Sequence, residues 1–114
     1  MNNKTKKISY RWTDRAVRLM QEIERITESF GEKAPDEIDR AAFDSVQHFV
    51  WATDCRRQAN VPRHLRGENY STGWGARADK AHRAGKKDFA KAQKWLDAYR
   101  ALKYPHIYPR KEAP

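Results

Sequence analysis

Residues 78–96, ADKAHRAGKKDFAKAQKWL, decide how the chain folds. Ala78 and Ala81 lie three residues apart, and Phe89, Ala92, Trp95 and Leu96 recur at spacings of three and four. Both halves therefore have a helical period. Gly85 stands between them. A glycine in a helix interior costs about 1 kcal/mol relative to alanine, so its place predicts an interruption. On this reading a short third helix carries Trp74, Ala78 and Ala81 on one face, its alanines allowing close approach, with Ser71 or Thr72 as cap. A fourth helix over residues 87–103 holds Phe89, Ala92, Trp95, Leu96, Tyr99 and Leu102 within one arc, and Pro105 ends it. Small residues around a glycine turn suit a helical-repeat hairpin, but the pattern occurs once and implies no repeat array.

Upstream, Thr13 is the expected N-cap of a first helix, with Asp14 at the positive end of the helix dipole and Trp12 stapled onto Val17. Ala16, Leu19, Met20, Ile23, Ile26, Thr27 and Phe30 form its apolar face, and Gly31 is the expected stop. Pro35, Asp36, Glu37 and Asp39 begin a second helix that should run to about Ala59, before Asn60 and Pro62. Its main stripe is predicted as Ile38, Ala42, Phe43, Val46, Phe49, Val50 and Thr53. A second non-polar side carries His48, Trp51 and Cys55, which predicts a central helix or one that lends a face to another chain. Residues 61–72 read as a loop.

The fold class is all-α: a small bundle of about four helices with an extended, proline-containing C-terminal tail. Residues 1–9 read as a flexible basic tail, 10–104 as one helical domain, and 105–114 as the extended tail, which could run along the bundle through Tyr104, Ile107 and Tyr108. A length of 114 residues suits one domain with a modest core, anchored by four Trp, five Tyr and four Phe. No apolar run approaches the roughly 20 residues of a membrane span. The opening MNNKTKKISYRW lacks the apolar centre of a secretory signal. One cysteine excludes an internal disulfide, and a reducing cytoplasm is the simplest expectation. No phosphate loop, dinucleotide fingerprint or nucleophile elbow occurs, and no cofactor is expected. His48, Cys55, His64, His82 and His106 are too dispersed for a paired metal motif.

Charge is unevenly spread. The net charge is +9; residues 61–114 carry 13 Lys/Arg against 5 Asp/Glu, whereas residues 13–54 carry 5 against 10. The basic half predicts a polyanionic partner, nucleic acid, with DNA and RNA undecided. Arg77, Lys80, Arg83 and Lys87 recur every three or four residues along a helical edge; Arg63 and Arg66 precede them, and Lys86, Lys91 and Lys94 extend the series. Such cations neutralise phosphates and release counterions. Tyr70 and Trp74, in a glycine-rich loop, are candidates for stacking on unpaired bases. The competing reading is a solvated basic face with Trp74 in the core.

Arg77 and His82, with four residues between them, resemble the signature of HEPN ribonucleases, a small, all-helical and usually dimeric family. That resemblance implies acid–base work by His82 and phosphate stabilisation by Arg77. Ala78 departs from the polar residue that commonly follows the family's arginine, and Arg57 with His64 satisfies a loose form of the same spacing. The leading expectation is non-enzymatic binding of nucleic acid, alone or within a nucleoprotein assembly. A second is a protein-binding module, by analogy of size and composition with accessory proteins of phages and mobile elements that occupy a host protein. Asp44, His48, Trp51 and Cys55 would form its interface or that of a homodimer, with Trp51 as anchor. Acidic Glu22, Glu24 and Glu28 offer a further surface for a basic partner.

Overall fold

The computed structural model describes residues 7–67, 70 and 72–107. Among these are three α-helices and no strand: α1 (Arg11–Phe30), α2 (Asp36–Ala59) and α3 (Trp74–Lys103), with a single 3₁₀ turn at Arg63–Leu65. The all-α class holds, and the four expected helices are three. Gly85 does not interrupt α3. It is buried, and a Cβ built on it would lie 2.8 Å from the Phe49 ring on α2. The glycine gives up helix propensity so that an aromatic ring can reach the α3 backbone. Ala78, Ala81 and Ala92 line the same inner side, as the spacing of small residues predicts.

The helices α2 and α3 form an antiparallel hairpin and share the most extensive interface of the fold. Arg56 on α2 meets Asp79 on α3 at 2.6 Å, and further along His48 meets Asp88 at 3.4 Å. Helix α1 lies against the hairpin. Near its start Trp12 stacks on Phe49 and sits edge-on to Phe89, each at 5.5 Å between centroids. Glu22 reaches Arg100 at 3.1 Å, and Phe30 approaches Tyr104 at 6.1 Å. The principal dimensions are 57 × 32 × 17 Å and the radius of gyration is 18.3 Å. A compact domain of this length would have a radius near 13 Å. The bundle is thus long and thin, with much of each helix left facing solvent.

Helix α1 starts three residues earlier than its cap signals predict, with Tyr10 in place of Thr13 at the N-cap position. Ser9 Oγ accepts a hydrogen bond from the Arg11 N–H at 3.3 Å, and Thr13 falls inside the helix, its hydroxyl buried without a hydrogen-bond partner. Trp12 is drawn into the aromatic group with Phe49 and Phe89 rather than acting as a staple on Val17, because two larger rings lie within reach. The apolar face is otherwise as the period predicts: Ala16, Leu19, Ile23 and Ile26 are buried and Met20 partly so, whereas Thr27 and Phe30 are exposed. Gly31, at φ 65°, donates its N–H to the Thr27 carbonyl and closes the helix.

The buried face of α2 is rotated from the predicted stripe. Ile38, Ala42 and Phe49 are buried as expected, but they are joined by Ala41, Ser45, Ala52 and Cys55. Phe43 and Val50 are exposed instead, by 53% and 39%. On the helical wheel Ala41, Ser45 and Ala52 lie between His48 and Arg56, the residues paired with α3. Small residues there let the two backbones approach, and the bulky ones move to the flank beside α1. The cap of α3 is Gly73, at φ 86°, without a side-chain cap; Ser71 lies outside the described residues. Beyond α3, Tyr104 and Ile107 are joined by a backbone hydrogen bond of 3.1 Å, so residues 105–107 turn rather than extend, with Ile107 exposed. Residues 1–6 and 108–114, including Tyr108, lie outside the described residues.

Candidate nucleic-acid interface

Thirty residues of uninterrupted α3 place every cation between Arg77 and Lys94 at a definite angle around one axis. Lys80, Arg83, Lys87, Lys91 and Lys94 fall within one arc of less than a quarter turn, opposite the buried side, and all five are exposed. From Lys80 to Lys94 the stripe runs about 21 Å along the helix. None of the five makes an ion pair among the described residues. The acidic side chains of α3 are turned elsewhere: Asp79 to Arg56, Asp88 to His48, and Asp97 to Gln93. Exposed Ala76, Ala90 and Ala98 lie among the cations, so no large side chain of α3 itself interrupts the stripe.

The other predicted contacts do not join the stripe. Arg77 lies on one flank with its guanidinium 4.7 Å from the Trp74 ring centre, and Lys86 lies on the other, 5.1 Å from the centre of Trp12. Arg63 is exposed in the 3₁₀ turn. Arg66 donates from Nε to the Val61 carbonyl at 3.0 Å and covers the Tyr70 ring at 4.5 Å. Tyr70 in turn donates its hydroxyl to the Gln58 carbonyl at 2.5 Å. The two expected stacking rings are therefore half-buried, each with an arginine over it. The sequence shows an aromatic near a cation; only the fold shows that the two already satisfy one another.

The structure separates Arg77 from His82. Five residues along a helix set side chains roughly 140° apart. Arg77 turns to Trp74, while His82 turns inward, edge-on to Trp12 at 6.0 Å and to Phe49 at 5.4 Å. The arginine on the side of His82 is Arg56. Together with Asp79, Thr13 and Trp12 the two border a cleft of about 230 Å³. Burial lowers the His82 pKa from its ordinary value, and Lys86 acts in the same direction. Arg56 is already paired with Asp79.

The chain matches no family model, no curated protein and no solved structure.

The four residues expected at a protein interface also part company. Trp51 is 51% exposed, but Cys55 is fully buried, and His48 is half-buried against Asp88. Asp44 is likewise half-buried. The strip is thus the edge of the α2–α3 seam, open to solvent mainly at Trp51. Burial pushes the Cys55 thiol up, with Arg77 only partly offsetting it, which is the opposite of what a nucleophilic thiolate needs. Among the described residues no three His, Cys, Asp or Glu side chains are grouped to hold a metal ion, and no helix is long and apolar enough to cross a membrane.

A surface that residue spacing alone does not reveal lies between α1 and α2. Met20, Ile23, Ala42 and Phe43 floor a groove of about 360 Å³, and Glu24, Glu28 and Asp39 stand around it. Its signal in the sequence is indirect: Phe43 sits in the predicted apolar stripe, and only the rotation of α2 exposes it.

Proposed function

We propose that the protein is a non-enzymatic nucleic-acid-binding protein whose contact surface is the outer stripe of α3. The observation that carries this reading is five exposed cations, Lys80, Arg83, Lys87, Lys91 and Lys94, on one arc without acidic partners among the described residues. A solvated helix face is commonly laced with both signs of charge, and i,i+3 or i,i+4 pairs are the rule on such faces. Here the acidic side chains are drawn off to α2, or to Gln93. A linear array of unpaired ammonium and guanidinium groups gains affinity for a phosphate backbone by counterion release.

The same chemistry sets the kind of binding. Lysines interleaved with alanines meet phosphates and leave bases unread, so binding orients the helix on the strand without specifying sequence. Tyr70 and Trp74, each covered by arginine, contribute little stacking.

The test is binding of labelled single- and double-stranded DNA and RNA across a salt series, with the integrity of each substrate read on a gel from the same samples. Steeply salt-dependent binding to intact substrate is expected. Lys80→Gln/Lys87→Gln/Lys94→Gln should reduce the slope of log affinity against log salt by about 2 to 3, the share of three phosphate contacts. An unchanged slope rejects this surface. Cleavage that His82→Ala abolishes would replace the reading with a ribonuclease acting at the Arg56–His82 cleft.

A further inference from the structure

We propose that the groove between α1 and α2 binds a basic amphipathic helix of another protein. The floor is apolar: Phe43 presents half of its surface to solvent, and Met20 and Val46 beside it are only partly buried. Val50, also exposed, follows Phe43 two turns along the same side of α2, about 10 Å away. That length matches the i, i+4 and i+7 side chains of a docked helix. Isolated exposed apolar residues are ordinary; here Phe43 lines a concave groove together with Met20.

Charge selects the occupant. Glu24, Glu28 and Asp39 surround the groove and make no ion pair among the described residues. The one cation lining it among the described residues, Lys33, is already paired with Asp36 at 3.2 Å. Three free carboxylates around an apolar floor favour a partner with apolar anchors flanked by Lys or Arg, and they repel phosphates. A second copy fits poorly in either arrangement. Two-fold pairing would set the carboxylates against themselves. Docking of another copy's α3 would bring the matching charge, but its outer stripe carries alanines between the lysines and has nothing to fill the space beside Phe43.

The experiment uses the full chain and a fluorescent, designed helical peptide of about 18 residues with leucines at i, i+4, i+7 and i+11 and Lys/Arg flanks. Its counterparts carry Glu flanks, or the same composition with the leucines displaced from one face. Anisotropy titration should show the basic amphipathic peptide binding at least about tenfold tighter than either, a difference of about 1.4 kcal/mol. Phe43→Asp should weaken it by about tenfold with helix content by circular dichroism unchanged. Glu24→Lys/Glu28→Lys should invert the preference between basic and acidic peptides. Trp51→Ala should leave binding unchanged, since Trp51 lies on the other edge of α2. Equal binding of the three peptides, binding weaker than about 1 mM, or indifference to Phe43→Asp overturns the proposal. So does sedimentation showing a dimer that Phe43→Asp dissolves, because the occupant would then be a second copy. The α3 stripe is untouched in all these variants, so this outcome and that of the nucleic-acid test are read separately.

Discussion

The two sides of α3 are built from neighbouring residues of one helix and obey different limits. The inner side, Ala78, Ala81, Gly85 and Ala92, is limited by space: a Cβ at Gly85 would come within 3.0 Å of three Phe49 ring carbons. The outer side, Lys80, Arg83, Lys87, Lys91 and Lys94, has space and is limited by charge, with no acidic partner among the described residues. Interior packing is close to crystalline and tolerates little added volume. Exposed cations contribute little to folding, because water and salt screen them. One helix can thus be held by shape on one side and available for a polyanion on the other, and substitutions on the two sides should be read out by different measurements.

The largest effect is expected on the inner side. Gly85→Leu would drive a branched side chain into the Phe49 ring, and over-packing of this kind costs about 1–3 kcal/mol, occasionally more. A fall in the urea midpoint, with no dependence on salt, is the expected result. An unchanged midpoint would mean that Phe49 does not rest on Gly85. On the outer side, the triple lysine-to-glutamine variant that flattens the salt slope of binding should unfold within about 0.5 kcal/mol of the parent. A large loss of stability would show that the stripe has a structural task and would undo the contrast.

A smaller effect distinguishes the cleft at the inner edge. Burial holds the folded-state pKa of His82 below its ordinary value of 6.5. The unfolded chain therefore takes up a proton first as pH falls, and the stability contributed by neutral His82 is complete above 6.5 and declines below it, through the depressed folded-state value. His82→Gln should flatten the stability-against-pH curve in that window; an identical curve would place His82 in water. The smallest effect belongs to the exposed end of α3. Lys103 meets Glu32 at 2.7 Å, and this hydrogen bond lowers the Glu32 pKa and raises that of Lys103. The pair is solvent-screened, so Lys103→Ala should leave the unfolding midpoint unchanged within measurement. A clear shift would mean that this end of the bundle is held by charge rather than by the Phe30–Tyr104 contact.

Local chemistry made several elements legible in advance. The spacing of Ala16, Leu19, Ile23 and Ile26 with Gly31 behind them specifies α1 because both signals act within one helix. Pro35, the acidic first turn, Asn60 and Pro62 bound α2 for the same reason. In the cation row of α3, Lys80, Arg83, Lys87, Lys91 and Lys94 were readable from their period, but Arg77 and Lys86, counted with them, stand on the flanks against Trp74 and Trp12. The acidic middle of the chain could be read too, though not the groove it surrounds.

Features that depend on partners distant in the chain were settled by packing. Local signals along the chain specify an all-α class, the C-terminal end of α1, both ends of α2 and a basic second half. They do not determine whether Gly85 breaks a helix or admits a ring, because the answer depends on Phe49, thirty-six residues away. Nor do they determine which face of α2 is buried: both sides are non-polar, and α1 and α3 compete for them. The same holds for Arg77, which looks like a partner of His82 in the sequence and is turned to Trp74 by the helix. Periodicity reports which residues share a face; which faces meet is settled by the volumes and charges that oppose one another when the helices come together.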